Sequence, residues 1–119
     1  MTRRSNYWRA LLHEADRVEQ LGIGLTRQAE HDGVADGHAQ RRYLVLRAAL
    51  ADRAMSLGPA AADEVDAGLA ALGLLQWDRE HGTGRGPVAA ADPRWDTDPL
   101  RYVHQEHALL VLDDEPPCG

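Results

Sequence analysis

Apolar residues recur at spacings of three and four in several separate stretches of this chain. That period lets an α-helix bury one side of itself. Between about Ser5 and Leu21 the stripe is Trp8, Leu11, Leu12, Ala15 and Val18, with Ser5 or Asn6 as cap and Gly22 placed to end the helix. From Leu25 to Gly37 only Leu25 and Ala29 keep the period, and Asp32-Gly33 and Asp36-Gly37 are turn dipeptides, so a short helix and a bend are expected. From His38 to Leu57 the stripe is Ala39, Tyr43, Leu46, Leu50, Ala54 and Leu57. Leu44, Val45, Ala49 and Met55 add apolar surface on its other sides. A helix greasy nearly all round has several neighbours, so this one is expected at the centre.

Gly58-Pro59 separates that helix from the next, since Pro suits a first helical position. Val65, Leu69 and Leu72 are expected to line the inner face of this next helix. Asp63 and Glu64 suit its positive N-terminal end, and Gly73 is expected to stop it. Leu74 to Trp77 fit a last turn or a short strand. Residues 78–97 read as a polar loop, with room for a hairpin that turns at Gly82-Thr-Gly-Arg-Gly and returns along Pro87 to Ala90. Asp98-Pro99 opens the last helix, whose apolar side is Leu100, Val103, His107, Leu110 and Val111. Residues 113–119 read as an acidic disordered tail. The fold class that follows is all-α: a compact bundle of about four helices over residues 1–112, with a small β-hairpin admitted between the last two.

The length of 119 residues suits one domain with its own core. All 13 basic residues are Arg, which fits the codon usage of a GC-rich bacterial genome and makes every positive charge a planar fork. A net charge of −6 disfavours non-specific attachment to nucleic acid or anionic membrane. Cys118 is the only cysteine, so no intrachain disulfide forms. No apolar run follows the N-terminal arginines as in a signal peptide, and no stretch reaches the roughly 18 apolar residues of a membrane span. A cytoplasmic location is the expectation.

Two sets of residues bear on chemistry. His104 and His107 lie three apart on the last helix, near Tyr102. They fit a metal-ligand pair or a general base in a pocket, or else half-buried histidines with ordinary partners. A metal would need further ligands from other helices, such as His13, His31, His38, Glu14 or Glu30, and no metal or cofactor is expected. The second set lies in the loop. Asp78 and His81 are acid–base candidates, while Trp95, Arg85 and Arg94 are candidates for holding a small ligand under a lid. The alternative for these residues is a solvated loop with surface ion pairs. Arg41, Arg42, Arg47 and Arg53 read as a solvated helix face, the alternative being pairs with Asp52, Asp63, Glu64 or Asp66. No nucleophile elbow, zinc spacing or complete phosphate loop is present.

Leu50-Ala-Asp-Arg-Ala-Met-Ser-Leu-Gly-Pro, followed by Asp63-Glu-Val-Asp-Ala-Gly-Leu-Ala-Ala-Leu-Gly-Leu-Leu-Gln-Trp, resembles the winged helix-turn-helix superfamily over residues 48–91. The resemblance implies a small residue, Ala54, four before the turn glycine Gly58, and a strand–turn–strand wing from about Trp77 to Val88. The helix in the recognition position begins Ala60-Ala-Ala-Asp-Glu-Val-Asp, with no basic or amide side chain to meet phosphates or base edges. DNA binding through it is therefore not expected. The function expected is a non-catalytic accessory or regulatory domain that binds a protein partner or a second copy as a homodimer. The alternatives are a small enzyme or ligand binder built on the His and Tyr residues, and a winged-helix DNA regulator.

Overall fold

The computed structural model describes residues 2–33, 36–57 and 61–114. They form four α-helices: α1 (Thr2–Asp32), α2 (Gly37–Leu57), α3 (Ala61–His81) and α4 (Pro99–Asp114), with a short 3-10 helix at Pro93–Asp96 before the last. α2 packs against each of the other three. The apolar-all-round helix is therefore central, as its sequence demanded.

Two helices run past the glycines expected to stop them. α1 continues through Gly22 because that residue keeps a helical backbone; among the described residues only Gly33 and Gly82 take positive φ. Gly22 instead serves as a close-approach point. A Cβ there would sit 2.9 Å from Cε2 of Tyr43 on α2. α1 ends where Gly33, at φ 72°, donates its N–H to the carbonyl of Ala29 at 2.8 Å. α3 likewise passes Gly73, since Leu74 and Leu75 beyond it are wholly buried and hold the helix to the core. It stops at Gly82, φ 65°, whose N–H reaches the carbonyl of Asp78 at 2.7 Å. Residues 74–77 are thus helix and not strand. The turn proposed at Gly58-Pro59 lies outside the described residues.

The buried faces also differ from the expected stripes. On α3 the inner face is Ala67, Ala70, Ala71, Leu74 and Leu75, whereas Val65, Leu69 and Leu72 are turned outward. On α2 the fully buried side is Arg41, Val45, Ala48 and Ala49, and the Tyr43–Leu46–Leu50 stripe is half-buried. When a helix is apolar on several sides, periodicity does not choose among them. Small residues win here because Ala48 and Ala49 on α2 and Ala70 and Ala71 on α3 let the two helices approach closely in one core. α1 follows its stripe at Leu11 and Val18, but Leu12 is exposed.

No strand forms among the described residues, so neither the hairpin nor a strand–turn–strand wing is present there. The reason is a competition for hydrogen bonds. The N–H groups of Arg85 and Gly86 are taken by the Glu106 carboxylate. The carbonyls of Val88, Ala89 and Ala90 accept from the side chains of Gln105, Trp95 and Arg79. These groups are committed to side chains and are not available for a ladder. Asp113 and Asp114, placed in the tail by the sequence, belong to α4, and residues 115–119 lie outside the described part. No described helix is long and apolar enough to cross a membrane.

Leu74 is fully buried at the α2–α3–α4 junction. Leu74→Ala should lower the unfolding free energy by about 2–5 kcal/mol, measured by urea denaturation.

Candidate functional site

The most polar part of the core joins three helices and the loop. Arg41 of α2 is 7% exposed, Asp78 of α3 and Glu106 of α4 1% each, and Tyr102 of α4 is fully buried. The Arg41 fork donates from Nε to Asp78 Oδ1 at 2.8 Å and from Nη2 to Asp78 Oδ2 at 3.0 Å. Nη2 also reaches Glu106 Oε1 at 2.6 Å. Tyr102 donates its hydroxyl to Asp78 Oδ2 at 2.5 Å, and Thr83 donates to Oδ1 at 2.6 Å. Glu106 accepts further from the backbone N–H of Arg85 at 2.7 Å, from that of Gly86 at 2.8 Å, and from Gln105 Nε2 at 2.8 Å. Each of the four carboxylate oxygens thus accepts two hydrogen bonds, which fills its lone-pair positions. The loop is clamped so tightly that a Cβ on Gly86 would overlap the Gln105 side chain, and one on Gly84 would lie 2.6 Å from the Tyr102 hydroxyl.

The electrostatics show which protonation states this arrangement holds. Burial works against the Arg41 charge, but the hydrogen bonds and charges of Asp78 and Glu106 outweigh it and raise its pKa. Burial likewise works against ionised Asp78. Hydrogen bonds from Arg41, Thr83 and Tyr102, with the Arg41 charge, still hold its carboxyl below the ordinary 3.8. Burial first, then the bond to Asp78 and its charge, push the Tyr102 hydroxyl well above 10. Asp78 and Tyr102 are therefore held far from neutrality in opposite directions. Neither is poised for proton transfer near pH 7. Asp78 contributes stability above pH 3.8 that is lost as pH falls through its depressed value. Tyr102 contributes below pH 10, and that is lost as pH rises through its raised value. What the cluster does is pin α2, α3, α4 and the loop in one arrangement.

The other residues singled out by sequence do not join it. Trp95 is buried, donates Nε1–H to the Ala89 carbonyl at 2.9 Å and meets Tyr102 edge-on at 5.3 Å, so it packs the loop down. His81 is exposed, stacks on Trp77 at 4.0 Å and bonds through Nδ1 to the Trp77 carbonyl. Arg94 is exposed beside Asp92. His104 is exposed and meets Asp52 at 2.7 Å. His107 is half-buried, close to the Arg53–Glu14 ion pair that ties α2 to α1. Tyr102, His104 and His107 therefore occupy three different environments. Among the described residues no three His, Cys, Asp or Glu side chains are grouped to hold a metal ion.

Beside the buried cluster lies a cavity of about 420 Å³ lined by His38, Arg41, Arg42, Thr83, Arg85 and Leu110. The anion-seeking N-terminus of α2 next to it is already occupied by Asp36, whose carboxylate accepts from the N–H groups of His38 and Ala39. A second groove has the opposite character. It measures about 460 Å³ and runs between α1, α2 and α3 over Leu11, Leu50, Ala51, Ala54 and Ala70, with Leu12 and Leu69 at its edges. Leu12 is 64% and Leu69 62% exposed, and Val65 and Leu72 continue the apolar strip along α3.

Arg41 and Glu106 were not legible as partners. Glu106 lies one residue before His107 with no pattern to mark it, and the charges on α2 read as a solvated face. The one available signal was Arg41 within a helix otherwise reading as core. Comparison with family models, with curated proteins and with solved structures gives no match.

Two outcomes follow. Arg41→Met leaves two buried carboxylates facing each other and should cost about 3–5 kcal/mol in chemical denaturation. His107 is held below its ordinary 6.5 by burial and by Arg53, against the pull of Glu14. Its stabilising contribution is present above pH 6.5 and lost as pH falls through the depressed value. His107→Gln should therefore flatten the decline in melting temperature between pH 7.5 and 5.5.

Proposed function

We propose that this chain is a non-catalytic accessory or regulatory domain that binds protein through the groove between α1, α2 and α3. The observation that carries the reading is that α3 is apolar on two faces. One face, Ala67 to Leu75, makes the core, and the other, Val65, Leu69 and Leu72, lies open beside Leu12 of α1. A surface helix needs one apolar face to fold, so a second exposed face marks a contact surface. The Arg41–Asp78–Glu106 cluster supports the non-catalytic half of the reading, since all four of its carboxylate oxygens already accept two hydrogen bonds each. The enzyme and ligand-lid alternative has less support, because Trp95 is committed to packing, His104 meets Asp52, and His107 sits half-buried near the Arg53–Glu14 ion pair. The DNA-binding alternative meets the exposed acids Glu64 and Asp66 on the helix that would face phosphates.

A photo-reactive residue at Leu69, in the full chain within a native cell extract, tests this. Covalent protein adducts should form at Leu69 several-fold more than at exposed Arg101 outside the groove. Equal labelling at both positions, or none at Leu69, would overturn the reading.

A further inference from the structure

We infer that the occupant of the α1–α2–α3 groove is the same groove of a second copy of this chain, related by a two-fold axis. This rests on the protein-binding reading above and names its partner. Three observations on one surface lead to it.

The first is shape. Leu50, Ala51 and Ala54 of α2 form a floor of medium and small side chains, and Leu12 and Leu69 stand at its sides. Val65, Leu69 and Leu72 follow at spacings of four and three, which makes a raised apolar ridge along α3. Ridge and groove are thus contiguous, with Leu69 belonging to both. A surface that carries its own complement beside it closes on itself under a two-fold. A ridge and groove on opposite sides would instead build an open chain of copies.

The second is charge. Two charged side chains line the groove, Arg47 of α2 and Asp66 of α3, and both are exposed. Among the described residues neither forms an ion pair or hydrogen bond. A partner helix of one sign would satisfy one of them and oppose the other. A second copy brings an acid for the base and a base for the acid, so both pairs form at once: Arg47 of each copy with Asp66 of the other.

The third is local neutrality. The chain carries a net charge of −6, so two copies repel at long range. The groove contributes one positive and one negative side chain to contact. At physiological salt the remaining repulsion is screened beyond about 8 Å.

Sedimentation velocity on the full chain, from low to high micromolar concentration, reads the outcome. A species of twice the chain mass should grow with concentration. Leu69→Glu, and separately Leu12→Glu, should abolish it while circular dichroism stays helical, since both side chains are exposed in the single chain. Arg47→Asp and Asp66→Arg should each weaken association about tenfold, and the two together should restore most of it, because the swap re-forms both pairs. A strict monomer at every concentration, a dimer untouched by Leu69→Glu and Leu12→Glu, or a double swap no better than the single changes would overturn the inference. The Leu69 photo-adduct separates the two levels. Adducts to other proteins from a monomeric chain would refute the second copy and leave the protein-binding reading standing, whereas no adduct at all would remove both.

Discussion

Burying a guanidinium among packed helices is tolerable only if its charge is met, and Asp78 and Glu106 meet that of Arg41 through its Nε and Nη2 groups. Arg41 projects from the central helix toward Asp78 near the end of α3 and Glu106 in the middle of α4. A fork of fixed geometry accepts carboxylates only in particular places, so α3 and α4 have little freedom to slide or rotate against α2. The carboxylates extend the constraint outward. Each has lone pairs left over after Arg41, and Thr83, Arg85 and Gly86 fill them from the loop. A loop rich in Gly and Pro is thereby held by its backbone against α4.

Such a cluster specifies more than it stabilises. Two carboxylates face one guanidinium, and the attraction gained in the interior is largely offset by the loss of water around all three ions. Its value is that any other packing of these helices leaves a buried ion unmet. Its carboxylate acceptors are filled, and burial with hydrogen bonding drives the Tyr102 and Asp78 pKa values apart.

The apolar surface then becomes the informative part of the molecule. α1 is a 31-residue helix that rests mainly on the 21-residue α2, and α3 lies on another side of α2. Neither flanking helix closes over Leu50, Ala51 and Ala54, so the bundle carries a groove where a further helix of a closed bundle would lie. Alanines make this possible. They let α3 sit close to α2 on its small-residue side, which turns its larger residues, Val65, Leu69 and Leu72, toward the open edge.

The sequence by itself determined that the chain is helical, that helices begin near His38 and at Pro99, and that the segment from His38 to Leu57 is central. These are local properties, set by side-chain period, capping and turn residues within a few positions of one another. It did not determine which face of α3 is inside, because a helix greasy on two sides has no preferred direction until its neighbours are placed. Nor did it reveal that Gly22 and Gly73 are passed through, since packing against Tyr43 and burial of Leu74 outweigh a modest helix penalty. Least legible was the ion cluster. Arg41 meets partners 37 and 65 residues away, and nothing in a charge on a helix tells whether water or a distant carboxylate will surround it. Only the tertiary structure brings those charges together, because ion pairing depends on separation in space, and sequence patterns report separation along the chain.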